Sequence, residues 1–199
     1  DVVIGRSGGR IIWQPRIGCW YSDKLFAGEQ LPAPYTGLAL PDIFRSLGCS
    51  DRLYGWYNPC FRRIEPEGLS RTTEQLNETD TKTPLHTPAG TQVRVDRRTP
   101  NSPSTIHLKW EVETEAELQV ATWIEEHTAW AWDQAHYEQS LAAVGDLGAP
   151  TMFMPRMNIQ DLYINKMGVQ RGVYALYDWP DTVAAYFCAL EASHDRLID

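Results

Sequence analysis

Three short apolar segments, Arg10 to Gly18, Leu53 to Tyr57 and Pro150 to Pro155, are set between stretches whose apolar residues recur at helical spacing. That order constrains the fold more than any other feature of the chain. Strands apolar along their whole length are buried on both faces, and strands separated by helices do not pair as hairpins. The pattern therefore predicts an α/β fold, a parallel sheet with helices outside it. Pro41 to Leu47 predicts a helix with proline in its first turn and Gly48 just past its end. Thr114 and Glu117 have capping-box spacing ahead of Leu118, Ala121 and Ile124, and a second helix is predicted from Asp133 to Val144, stopped by Gly145. Asn158 is predicted to cap a helix through Lys166 that Gly168 ends. Asp178 is predicted to cap a long final helix with Val183, Tyr186, Phe187, Leu190, His194 and Leu197 at helical spacing. Cys19 to Leu40 reads as loop, with at most a short helix around Ser22 to Ala27.

The stretch from Ile64 to Val112 has another character. Thr91 to Asp96 and Thr105 to Trp110 alternate with period two and are broken by Pro100 and Pro103, which predicts a solvent-facing antiparallel hairpin. Residues 64–113 are accordingly read as an insertion on a main fold that occupies 1–199.

Composition narrows the classes of function. Lys+Arg 18 against Asp+Glu 26 leaves a net charge of −8, so the broad basic footprint of a nucleic-acid binder is missing. Four cysteines without a C-x-x-C spacing read as reduced thiols, not as a zinc finger or a dense disulfide framework. No apolar run approaches the ~18 residues of a membrane helix, and residues 1–10 lack the order of a signal peptide, so a cytoplasmic protein without a membrane partner is predicted. The chain begins at Asp1 and ends at Asp199 at the close of a helical pattern, which leads to the expectation of a piece of something longer or one that a partner completes.

With the strands so placed, the order of features resembles the N-terminal part of the uroporphyrinogen decarboxylase superfamily. The resemblance rests on the opening segment and its arginine, on His86-Thr87-Pro88-Ala89-Gly90-Thr91, on the Thr114 to Glu117 helix start, on Pro150 to Asn158, and on Tyr177-Asp178-Trp179-Pro180. It implies the N-terminal portion of a TIM (β/α)8 barrel with a β-hairpin insertion. It also implies one of two chemistries, heme-pathway decarboxylation or cobalamin-dependent methyl transfer. In the decarboxylases a tryptophan is followed by two arginines that hold propionates, and the second strand ends in an aspartate that stabilises a pyrrolic cation. Here Trp13 and Arg16 match, Trp20 stands at the second arginine position, and Asn58 stands where the aspartate is expected. An amide does not balance a cation as a carboxylate does, and a lost guanidinium forfeits roughly 1.5 to 3 kcal/mol of charge-assisted contact. The resemblance therefore leans toward the methyltransferase and demethylase branch.

That lean makes Asn58 the catalytic candidate and Arg16, Arg156 and Asn158 the substrate-binding candidates, converging at the catalytic end of a barrel. Each has an alternative: a salt-bridged surface arginine, a turn asparagine before Pro59, a helix cap at Asn158. His86 and His107 read as exposed hairpin residues, and His194 as a packed core histidine. Trp123, Trp130 and Trp132 read as core or an interaction patch, and His127 and His136 are assigned no site. No metal site is predicted in this chain; zinc and a corrinoid partner protein are implied by the resemblance for a full-length protein. The expected function is transfer of a methyl group from a small methylated or methoxylated substrate to a corrinoid protein. The alternatives are uroporphyrinogen III decarboxylation in porphyrin biosynthesis and a non-catalytic barrel fragment.

Overall fold

A computed structural model describes residues 13–100 and 102–198. In chain order the helices are α1 (Gly18–Phe26), α2 (Leu40–Ser46), α3 (Tyr54–Tyr57), α4 (Glu115–His127), α5 (Gln134–Val144), α6 (Asn158–Asp161), α7 (Gly168–Asp178) and α8 (Pro180–Ile198). The strands are β1 (Phe61–Ile64), β2 (Ser70–Arg71), β3 (Glu74–Gln75), β4 (Asp80–Thr87), β5 (Gly90–Arg98), β6 (Thr105–Lys109) and β7 (Ala129–Trp132). The protein is thus mixed α/β with open sheets, and every strand pair among the described residues is antiparallel. It divides into two compact units, one of Asp1–Cys60, Pro100–Pro103 and Asp133–Phe153, the other of Phe61–Thr99, Ser104–Trp132 and Met154–Asp199.

The first unit is helical. Pro41 opens α2 and Gly48 follows it at φ 62, while Ile43 and Phe44 face inward. The Asp133 carboxylate accepts from the His136 amide at 2.9 Å and so caps α5, which Gly145 ends at φ 57. Phe44, Leu53, Tyr57, Cys60, Val144 and Leu147 form its core.

None of the three segments expected as parallel core strands is a strand over its described residues. Leu53 to Tyr57 is the helix α3, continued by a 3-10 turn over Asn58–Cys60. Leu53, Tyr57 and Cys60 are buried at spacings of four and three, whereas Tyr54, Gly55 and Trp56 are exposed, which is helical periodicity compressed into a run too short to reveal it. Pro150 to Pro155 is irregular, and Phe153 and Met154 are exposed. Its two prolines lack donors, and the Phe153 amide is taken by the Asn58 side chain at 2.9 Å. In the opening segment, residues 10–12 lie outside the described residues; Trp13 to Ile17 is irregular and leads into α1 at Gly18.

The second unit packs two long helices beside a meander. β4 and β5 pair from Asp80↔Arg97 to Thr87↔Gly90, and β6 continues the sheet with Asp96↔His107. The alternating segments are therefore antiparallel strands, as their period of two predicts. α4 starts at a complete capping box: Thr114 accepts from the Glu117 amide at 3.2 Å and Glu117 accepts from the Thr114 amide at 3.0 Å. Leu85 of the sheet packs on Val120 and Ile124 of α4. Gly90 sits at φ 143, where a Cβ would come within 2.9 Å of Val120, so the turn needs a residue without a side chain. On its other side α4 packs on α8 through Leu118, Ala121, Val183, Tyr186 and Leu190.

Four local expectations differ from the structure. The helix expected from Asn158 to Lys166 is α6 followed by a π-helical turn over Leu162–Lys166. Gly168, at φ 76, then begins α7 instead of closing a helix before a loop. Neither Asn158 nor Asp178 stands at an N-cap position: Asn158 is the first residue of α6, Asp178 the last of α7, and Trp179 alone separates α7 from α8. Among the described residues no helix is long and apolar enough to cross a membrane.

Candidate functional site

Within the second unit, α4, α6 and α8 enclose an ionic network that would be costly unless each charge had a partner. Glu125, on the inward side of α4, is 2% exposed. Its Oε1 accepts from the Arg63 guanidinium of β1 at 2.8 Å, and the same guanidinium donates to Thr128 Oγ1 at 3.1 Å. Arg196 of α8 donates to the carbonyls of Glu125 at 2.7 Å and Thr128 at 3.1 Å, which satisfies the otherwise orphaned C-terminal acceptors of α4. Tyr186 of α8, fully buried, donates its hydroxyl to Asp161 Oδ2 of α6, while Asn165 donates to Oδ1 at 2.6 Å. Lys166, at the end of the π-helical turn, reaches Glu111 at 3.4 Å.

These neighbours set the protonation states. Burial, then the Asp161 charge and its hydrogen bond, push the Tyr186 hydroxyl well above its ordinary value. Burial pulls the Lys166 ammonium down, but Glu111, Asp161 and Glu125 outweigh it and the net pKa is raised. His194, 4% exposed and set against the Met157 sulfur, is lowered by burial although Glu125 and Asp161 act in the other direction. A protonated phenol, a charged lysine and a histidine biased toward the neutral form make a proton-retaining brace that fixes α6 and its π turn on α8.

On that brace stands Asn158. Its backbone is left-handed at φ 45, which an asparagine tolerates at some cost. Its amide Nδ2 donates to Glu191 Oε1 at 2.6 Å, and because a carboxylate only accepts, the orientation of the amide is fixed. The Oδ1 atom is then buried without a hydrogen-bond partner among the described residues. A strained backbone and an acceptor unsatisfied among the described residues, both at Asn158, mark a place built for a ligand N–H or O–H.

The other sequence candidates lie as follows. Arg16 is exposed in the irregular Trp13 to Ile17 segment before α1 and makes no ion pair among the described residues. Asn58, in the same unit, clasps the backbone of one residue from both sides: it accepts from the Phe153 amide at 2.9 Å and donates to the Phe153 carbonyl at 3.4 Å. Tyr54 stacks on the Phe153 ring at 4.6 Å, so Asn58 and Tyr54 together hold this residue. Arg156 is exposed in the other unit, two residues before Asn158. The structure thus brings Asn58 to Phe153 and sets Asn158 on the brace, and it assigns Arg16 and Arg156 to different units.

Zinc, implied by the resemblance, finds no ligand set among the described residues, where no three His, Cys, Asp or Glu side chains are grouped to hold a metal. All four cysteines are free, and burial raises the thiols of Cys49 and Cys60, which disfavours the thiolate that binds zinc. Reading the sequence missed Arg63, Glu125, Asp161 and Tyr186 as a group. Glu125 carried a usable signal, an acid seven residues after Leu118 on the apolar side of α4; the Asp161 to Tyr186 pair, 25 residues apart, carried none. No family model matches the chain, nor does any curated protein or solved structure.

Proposed function

We propose that the chain is the N-terminal portion of a uroporphyrinogen decarboxylase-like TIM (β/α)8 barrel enzyme that moves a methyl group from a small methylated or methoxylated compound to a corrinoid protein. The methyl leaves its oxygen, nitrogen or sulfur, which keeps the bonding electron pair and takes a proton. Support for the architecture is the ordered set of family-like elements, of which the His86 to Thr91 turn and the helix started by Thr114 and Glu117 pack together through Gly90 and Val120.

The observation that carries the choice of chemistry is the two-sided clasp of Asn58 on Phe153. An aspartate there would set a carboxylate oxygen against the Phe153 carbonyl, so position 58 is built for a neutral amide and not for the anion that tetrapyrrole decarboxylation requires. Trp20, where the second propionate-binding arginine is expected, is packed edge-on against Tyr35 at 6.2 Å, and supports the same choice. In this reading Asn58 acts as a positioning residue, Arg16 is the first unit's candidate for an anionic group of the substrate and Arg156 the second unit's, and the Asn158 oxygen, unpaired among the described residues, is the acceptor for a substrate N–H or O–H. Incubating the enzyme that contains this chain with uroporphyrinogen III tests the choice: no carbon dioxide is released, and sustained release overturns it.

A further inference from the structure

Asp178 and Trp179, from the Tyr177-Asp178-Trp179-Pro180 step, line a cavity of about 190 Å³ within the second unit. Arg171, Tyr174, Ala175 and Asp178 reach it from α7 at spacings of three, four and seven, so one face of that helix forms a wall. Met167 and Ala175, each 1% exposed, make an apolar floor. Tyr174 and Trp179 supply two aromatic rings. At one end Glu113 is ion-paired with Arg171 and lies 3.8 Å from Lys109. The Asp178 carboxylate has no hydrogen-bond or ion-pair partner among the described residues, and it does not cap α8, which Trp179 precedes. Two carboxylates against one guanidinium leave the lining with a net charge of −1.

We infer that this cavity binds a small methylated ammonium group. A cation is favoured by Asp178, unpaired among the described residues, and by the two aromatic rings of the lining. Methylation is favoured because a primary ammonium must place three N–H donors, and Met167 and Ala175 offer no acceptor on the floor, whereas methyl groups lose little by leaving water there. The inference does not depend on methyl transfer and stands on binding alone.

Choline, its neutral carbon isostere 3,3-dimethylbutan-1-ol, and ethanolamine form the test set, titrated into the chain by calorimetry. Choline is expected to bind saturably and about tenfold or more tighter than either analogue. Tyr174→Ala, at a side chain 57% exposed and so tolerant of truncation, weakens choline about 2- to 30-fold, the span of a cation–π contact, with an unchanged melting temperature. Asp178→Asn lowers choline binding and leaves the neutral isostere unaffected. Absence of saturable choline binding at millimolar concentration, or equal binding of the isostere or of ethanolamine, overturns the inference.

Discussion

Replacing Tyr186 by phenylalanine isolates the brace on which Asn158 stands. The ring remains among Leu118, Val183 and Leu190, and only the hydroxyl that donates to Asp161 is lost. Asp161, 7% exposed, then keeps the Asn165 donor alone. A hydrogen bond to a charged group contributes about 1.5 to 3 kcal/mol, and for a chain of this size that lowers the melting temperature by roughly 3 to 12 °C. The pH dependence separates this mechanism from simple loss of packing. The folded state raises the Tyr186 pKa above its unfolded value near 10, so the folded form holds the proton longer. Its contribution is complete below pH about 10 and falls by up to about 1.4 kcal/mol per pH unit above it. Urea titrations followed by circular dichroism from neutral to alkaline pH should show that limb in the parent and a flatter one in Tyr186→Phe. Parallel limbs, or a variant as stable as the parent at neutral pH, would refute the reasoning.

Asn58→Asp removes the donor to the Phe153 carbonyl and sets a charge against it, with an expected loss of about 1 to 3 kcal/mol by denaturant titration. Tyr57→Phe should be neutral or stabilising by up to about 1 kcal/mol, because the Tyr57 hydroxyl is buried without a partner among the described residues; a loss of stability would contradict that. Hydrogen bonds from Arg97, then Asn77 and Thr79, hold Asp80 far below the usual carboxylate range, so its contribution to the hairpin is present above pH about 4 and lost as pH falls further. Acid titrations of Asp80→Asn should lack that loss, and an unchanged acid limb would count against the pairing.

The helices that could be read from the sequence are those whose ends are written locally. Pro41 and Gly48, Thr114 with Glu117, and Asp133 with Gly145 each solve the hydrogen bonding of a helix end within a few residues, and α2, α4 and α5 form where they direct. The apolar runs at Leu53 and Pro150 could not be assigned the same way, because five or six residues do not distinguish period two from period 3.6. α7 escaped notice since Gly168 carries the positive φ of a helix stop yet stands at a helix start, with the Trp110 ring 3.1 Å from where a Cβ would lie. β1 and β7 pair across more than sixty intervening residues, from Phe61↔Trp132 to Ile64↔Ala129, and no local pattern encodes such a partner. Of the site, Asn58 and Asn158 stood out in the sequence, but what they do is set by Phe153 and Glu191, 95 and 33 residues away.

Methyl transfer itself is tested most directly by the absorbance of free cob(I)alamin mixed with the enzyme that contains this chain and a panel of methanol, methylamines, methylthiols and methoxylated benzoates. The account predicts that one member of the panel converts the cob(I)alamin spectrum to that of the methylated corrinoid, with an equal amount of demethylated product. Arg16→Ala should weaken binding of that substrate by roughly 1.5 to 3 kcal/mol, the range for a hydrogen bond to a charged group. An unchanged cobalamin spectrum across the panel, together with release of carbon dioxide from uroporphyrinogen III, would contradict it.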